Sequence, residues 1–226
     1  MKNMPSISQS TLTYLSELKN NNNRNWFLKN KSKYLLAIDQ IKSLSNYLTT
    51  EIEEHDSLEK SRVLRIYRDV RFSKNKSPYK THFGIGFSRS KPNLRGSYYL
   101  HIEPKQSFLG CGFWDPQPQD LLRIRKELEY SGDEFRTIIQ KKAFKQLWGT
   151  LKGNEVKTKP KGFDINHPNI DLIRKKQLLF SIPFSNKQVL DSGFPDKINE
   201  AIIEIRPFLD FMSHTLTTNL NGESIL

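Results

Sequence analysis

Arginine and lysine recur at short intervals through residues 65–80, a stretch that contains a single acidic residue, Asp69. Three arginines lie three residues apart, and three lysines follow them. Planar guanidinium groups bind phosphate or carboxylate oxygens through paired hydrogen bonds. The residue types and their spacing therefore predict an anion-binding segment, with aromatic rings available for stacking on a base. The predicted ligand contacts are Arg65, Arg68, Arg71, Lys74, Lys76, Tyr79, Lys80 and Trp114.

A strand through residues 65–72 would divide these side chains between two faces, because alternate residues of a strand point in opposite directions. The more apolar face would comprise Ile66, Arg68, Val70 and Phe72. Arg68 would then be drawn toward the core, where a charged group needs a partner. Asp69 and Glu103 are the natural acceptors, so an internal arginine–carboxylate network remains open beside the anion-binding interpretation.

Acid–base chemistry has three candidate residues, which are Asp69, His101 and Glu103. His101 and Glu103 alternate along one predicted strand, so both project from the same face. Together with His82 they could bind a metal ion. Three scattered residues do not define such a site, however, and the predicted set contains no metal ligand.

The positive charge is concentrated in one part of the chain. The 226 residues carry a formal net charge of +12, and residues 60–95 alone contain 11 basic residues and one acid. A field of this kind raises the local concentration of anions and speeds their capture. Anionic ligands are therefore the favoured partners, with nucleic acid first among them.

Cysteine usage and hydropathy indicate the compartment. The single cysteine, Cys111, excludes an internal disulfide, as is usual in a reducing environment. Residues 1–23 are polar and lack the apolar run of a signal peptide. No stretch approaches the roughly 20 apolar residues that a membrane-spanning helix needs. We predict a cytoplasmic protein with no membrane association.

Hydrophobic periodicity predicts one domain over residues 1–226. Residues 1–56 are expected to be helical, residues 62–114 to form strands that include the basic segment (residues 62–80), and residues 117–216 to be mainly helical with one further strand. Closely spaced strands with short connections favour antiparallel pairing. The predicted class is α+β, with a central antiparallel sheet of four or five strands flanked by N-terminal and C-terminal helices.

Individual elements follow from the same patterns. Helices are predicted up to Leu18 and over residues 24–52, separated by four asparagines that favour caps and turns. Strands are predicted at residues 63–68, 81–88, 97–103, 107–113 and 177–183. Pro118 is expected to open a helix, and residues 195–216 are expected to form the closing helix.

Several motifs along the chain are similar to one protein family. They are RNWF (24–27), RIYRDVRFSK (65–74), KSPYK (76–80), YYLHIEP (98–104), WDP (114–116), PKG (160–162), HP (167–168) and RPF (206–208). The chain resembles domain-of-unknown-function family 2461, a conserved-hypothetical group of bacterial and fungal proteins. Asn75 stands where that family usually has Asp, and Cys111 where Gly is usual. The resemblance implies a shared fold and no established activity.

Three functions fit these observations. The first is binding of a phosphate-bearing ligand through residues 65–80, with nucleic acid as the leading class of ligand. The second is an enzyme that acts on a small phosphorylated or carboxylated substrate, with Asp69, His101 or Glu103 as the acid–base group. The third is an interaction domain whose arginines are paired internally.

Overall fold

Five strands form one antiparallel sheet in the computed structural model, which describes residues 4–226. The strands are β1 (Leu58–Val63), β2 (Phe83–Arg89), β3 (Ser97–Ile102), β4 (Ser107–Phe113) and β5 (Leu178–Phe184). Their order across the sheet is the order along the chain. The predicted antiparallel sheet is therefore confirmed.

Helices precede and follow the first four strands. Within residues 4–226 they are α1 (Gln9–Asn20), α2 (Arg24–Lys29), α3 (Lys31–Glu53), α4 (Pro118–Tyr130), α5 (Gly132–Gln140), α6 (Lys142–Trp148), α7 (Ile170–Ile173), α8 (Asn186–Val189) and α9 (Phe194–Thr217). Helices lie on both sides of the sheet, which confirms the α+β class. In this described part of the chain, every helix is too short or too polar to cross a membrane.

Two predicted elements differ from the structure. The helix predicted over residues 24–52 is divided at Asn30, whose side chain donates to the carbonyl of Trp26 (3.0 Å). Asparagine competes for backbone groups in this way and so favours helix ends. The strand predicted at residues 63–68 is also wrong, because β1 has already ended at Val63. The other four predicted strands are confirmed within two residues.

Contacts between residues divide the chain into two compact units. The first contains the described residues up to Phe87, together with Tyr99–Leu109 and Pro183–Glu200. The second contains Ser88–Tyr98, Gly110–Ile182 and Ala201–Leu226. The single domain of residues 1–226 stays a prediction, and its residues 1–3 lie outside the described part of the chain.

The middle strand β3 carries apolar and polar side chains in alternation. Leu100 and Ile102 are fully buried on one face. Tyr99 and His101 project from the other face, and Glu103 continues the alternation just beyond the strand end. The sheet therefore presents a row of polar side chains from a rigid central strand.

Tyr79 anchors the chain between β1 and β2 to the N-terminal helices. Its ring is 3% exposed and stacks on Phe27, with the ring centroids 4.1 Å apart. The side chain of Asn22 bonds both backbone groups of Tyr79, accepting from its N–H (3.1 Å) and donating to its carbonyl (3.0 Å). This anchor determines where the next residues, Lys80 to His82, enter the sheet.

We expect an Asn22→Ala substitution to lower the free energy of unfolding by about 2 kcal/mol, because two buried backbone groups lose their partner. Urea unfolding followed by circular dichroism measures the change. Asn25→Ala is the matched control, since Asn25 is exposed in the neighbouring helix α2. Equal stability of the two variants would show that the Asn22 bonds do not hold the anchor.

Candidate functional site

Arg68 closes the loop that follows β1. Its guanidinium donates to the carbonyl of Ser77 (3.1 Å) and lies 3.4 Å from the hydroxyl of Ser73. The predicted carboxylate partners, Asp69 and Glu103, bond to other residues. That part of the prediction is wrong, because oxygen atoms of the loop itself satisfy the guanidinium group. Arg68 therefore has a structural role.

Arg71 and Lys76 are occupied in the same loop. Arg71 donates through Nε and Nη2 to the two carboxylate oxygens of Asp69, at 3.0 and 2.7 Å. These hydrogen bonds lower the pKa of Asp69 and raise the pKa of Arg71. Lys76 Nζ donates to the carbonyls of Val70 (3.0 Å) and Arg71 (3.4 Å). Asp69 is thus tied to an arginine rather than placed for acid–base chemistry.

Arg62 and Arg65 lie within electrostatic reach of Lys80, and the three residues are called the cation cluster. The partly buried Lys80 has its pKa lowered, first by burial and then by the charges of Arg65 and Arg62. Among residues 4–226, none of the three has a carboxylate within ion-pair distance. The cation cluster therefore carries positive charge that the loop does not neutralise.

His82, His101 and Glu103 come together beside this cluster. One ligand atom from each lies within 4.8 Å of the other two. His101 Nε2 is 3.0 Å from a carboxylate oxygen of Glu103, and the two imidazole centroids are 4.1 Å apart. We call these residues the His–Glu trio. The structure thus brings together three residues that could bind a metal ion, although the sequence analysis predicted no metal ligand.

The surroundings of the Glu103 carboxylate compensate for its burial. Its side chain is 13% exposed, and a buried carboxylate is costly unless it is paired. Thr81 donates its hydroxyl to the Oε1 atom at 3.0 Å, and Lys19 lies 4.0 Å from the same oxygen. The Oε2 atom faces His101. The two carboxylate oxygens therefore have different surroundings, one supplied by a hydroxyl and the other by an imidazole.

His82 is a neutral imidazole at neutral pH. Burial, with a smaller contribution from His101, lowers its pKa to about 4, while the Glu103 charge acts in the opposite direction. Lys80 adds to the lowering, which places this member of the cation cluster within electrostatic reach of the His–Glu trio. Both features belong to the first unit of the chain.

The remaining predicted contacts are dispersed. Lys74 is exposed, whereas the Tyr79 ring is buried in the anchor and presents no face to a ligand. Trp114 belongs to the second unit and is 71% exposed. Phe72, predicted to face the core, is 97% exposed. That prediction is wrong because β1 ends at Val63, so no strand carries the alternation of faces as far as Phe72.

Two arginines that follow the basic segment are also paired internally. The guanidinium of Arg89 is buried and bonds to the carboxylate of Asp210 and the hydroxyl of Ser213. Arg95 pairs with Asp120. The charge excess of residues 60–95 therefore includes side chains that stabilise the second unit.

Sequence reasoning left several site residues unassigned. Arg62 stood in the basic run but was not selected, and its position one residue before the end of β1 gave no distinguishing signal. Lys19 and Thr81 reach Glu103 only through the tertiary fold, since they are distant from it along the chain. For His82, the signal was its residue type alone.

The fold and this site define an α+β protein with a cation cluster beside a group of two histidines and one glutamate. A family model described as conserved hypothetical protein (DUF2461) matches residues 10–211, and the chain belongs to that family. The resemblance expected from the motifs is therefore confirmed. Comparison with curated proteins and with solved structures finds no match.

We expect Arg68→Ala to lower the free energy of unfolding by about 1–2 kcal/mol, because the loop carbonyl of Ser77 and hydroxyl of Ser73 lose a charged donor. Chemical denaturation measures the loss. Arg71→Ala is the matched control, since its pair with Asp69 is exposed and such pairs contribute little. A larger loss in Arg71→Ala than in Arg68→Ala would contradict the assignment.

Proposed function

We propose that the protein binds a phosphate-bearing anionic ligand through the cation cluster of Arg62, Arg65 and Lys80. The observation that carries this proposal is that Arg62 and Arg65 lie within electrostatic reach of Lys80, and that none of the three has a carboxylate at ion-pair distance among the described residues. Neighbouring Arg68 and Arg71 differ in this respect, because the loop occupies both.

Electrostatics favour an anion at this position. The pKa of Lys80 is lowered mainly by burial, and the charges of Arg65 and Arg62 lower it further because like charges raise the free energy of the charged state. A bound phosphate would reverse that lowering by placing negative charge among the three cations. The two guanidinium groups can bind its oxygens in pairs, and the ammonium group of Lys80 adds a point charge.

Nucleic acid is the leading class of ligand. The exposed Lys74 extends the positive surface of the basic segment beyond the cluster, and binding to a polyanion is driven by the release of counterions from several phosphates. Tyr67 is half exposed and offers a ring for stacking on a base. The buried Tyr79, which was among the predicted ligand contacts, cannot take this role.

A small phosphorylated or carboxylated substrate is the second candidate, and one observation favours it. Lys80 lies within electrostatic reach of His82, so an anion held by the cation cluster would lie close to the His–Glu trio. Asp69 does not contribute to this arrangement, because Arg71 binds both of its carboxylate oxygens.

The test is fluorescence anisotropy of labelled single- and double-stranded DNA and RNA at two salt concentrations. We expect salt-dependent binding by the wild type. Arg62→Ala/Arg65→Ala should bind more weakly, with the slope of log affinity against log salt reduced by about one for each arginine. Lys142→Ala/Lys145→Ala is the matched control, since it removes two exposed charges from α6 and should keep the wild-type slope.

Calorimetric titration with inorganic phosphate and with a mononucleotide distinguishes the two ligand classes. Binding of these small anions without binding of nucleic acid would favour the substrate-type site. If neither kind of anion binds at low salt, the proposal is overturned and the interaction-domain hypothesis remains.

A further inference from the structure

We propose that His82, His101 and Glu103 bind a divalent transition-metal ion. Their ligand atoms lie within 4.8 Å of one another, and metal–ligand bonds of about 2.0–2.2 Å bring such atoms to about 3–3.5 Å apart. The His101 Nε2 and Glu103 Oε2 atoms already meet that spacing at 3.0 Å. The ligand atom of His82 lies within 4.8 Å of the other two, so it must move closer to complete the set when an ion binds.

The backbone holds the three ligands in place. His101 and Glu103 project from one face at the end of β3, which is the middle strand of the sheet. His82 immediately precedes β2, the neighbouring strand, and follows the Tyr79 anchor by three residues. Ligands at the ends of two neighbouring strands lose little conformational freedom when a metal ion binds, so the site is largely preorganised.

A second layer of side chains orients the ligands as metal sites require. The Tyr99 hydroxyl oxygen lies 3.3 Å from His101 Nδ1 and can accept a hydrogen bond from the N–H at that position, which leaves Nε2 to face the ion. Thr81 bonds the Oε1 atom of Glu103 and leaves Oε2 to face the ion. The Phe108 ring stacks on His101 at 4.8 Å and fixes its plane.

Gly84 preserves the position of the Tyr99 side chain. A Cβ atom at Gly84 would lie 2.6 Å from the Tyr99 hydroxyl, closer than nonbonded atoms approach. The Tyr99 hydroxyl therefore lies over a residue that has no side chain. This packing supports the oriented second layer of the site.

The ligand set selects the class of ion. Two imidazoles and one carboxylate suit Zn²⁺, Fe²⁺, Co²⁺ and Ni²⁺, whereas Mg²⁺ and Ca²⁺ prefer oxygen ligands alone. Three protein ligands also leave coordination positions for water or a substrate oxygen, as in catalytic rather than structural sites. This inference does not depend on anion binding by the cation cluster.

Titration of chelator-treated protein with Co²⁺ and Zn²⁺ tests the proposal, with visible absorption and calorimetry as readouts. We expect each chain to bind one Co²⁺ ion, which Zn²⁺ displaces and excess Mg²⁺ does not. His82→Ala and Glu103→Gln should each weaken binding by at least about tenfold, and Tyr99→Phe by about tenfold. His214→Ala, which removes an exposed histidine of α9, should bind as the wild type does.

Two results would overturn the metal site. The first is that folded protein binds none of Co²⁺, Zn²⁺ and anaerobically added Fe²⁺. The second is that the His82→Ala variant binds metal as tightly as the wild type. His82 is only partly buried, so this variant remains informative if Glu103→Gln does not fold. Arg62→Ala/Arg65→Ala should retain metal binding, which separates failure of this proposal from failure of anion binding.

Discussion

Burial of Tyr79 is the interaction on which the candidate site depends. Its ring stacks on Phe27, and its two backbone groups are bound by Asn22, so the chain between β1 and β2 is attached to the N-terminal helices at one point. A backbone amide and carbonyl removed from water need partners, and a single asparagine side chain supplies both. The three residues that follow, Lys80, Thr81 and His82, take their positions from this attachment.

The loop before the anchor determines which positive charges remain available. Arg68 and Lys76 bind oxygen atoms of the loop, and Arg71 binds Asp69, because charged donors near the surface take the nearest acceptors. Arg62 and Lys80 do not take part in the contacts that close the loop, and no carboxylate in the described part of the chain neutralises their charges. The basic segment looks uniform in sequence, but local geometry divides it. Some of its side chains bind groups of the loop, and others keep a charge that no carboxylate among the described residues pairs.

The same need for partners explains the polar face of β3. Glu103 and His101 are almost fully buried, and their contacts with each other, with Thr81 and with Tyr99 compensate for lost hydration. Such networks are costly to assemble unless every member is satisfied. Lys80 lies within electrostatic reach of this network, so the first unit of the chain holds positive charge close to a set of atoms that could bind a metal ion.

The amino-acid sequence was enough to predict the α+β class, the antiparallel strands at β2, β3, β4 and β5, and the family. Those features follow from short-range alternation and from motifs, which are local properties of a chain. It also placed His101 and Glu103 on one face, because strand geometry alternates side chains. The tertiary structure decided the partner of Arg68, the burial of Tyr79 and the approach of Lys19 to Glu103. These depend on contacts between residues far apart in the chain, or on where a strand ends, and local pattern carries no information about either.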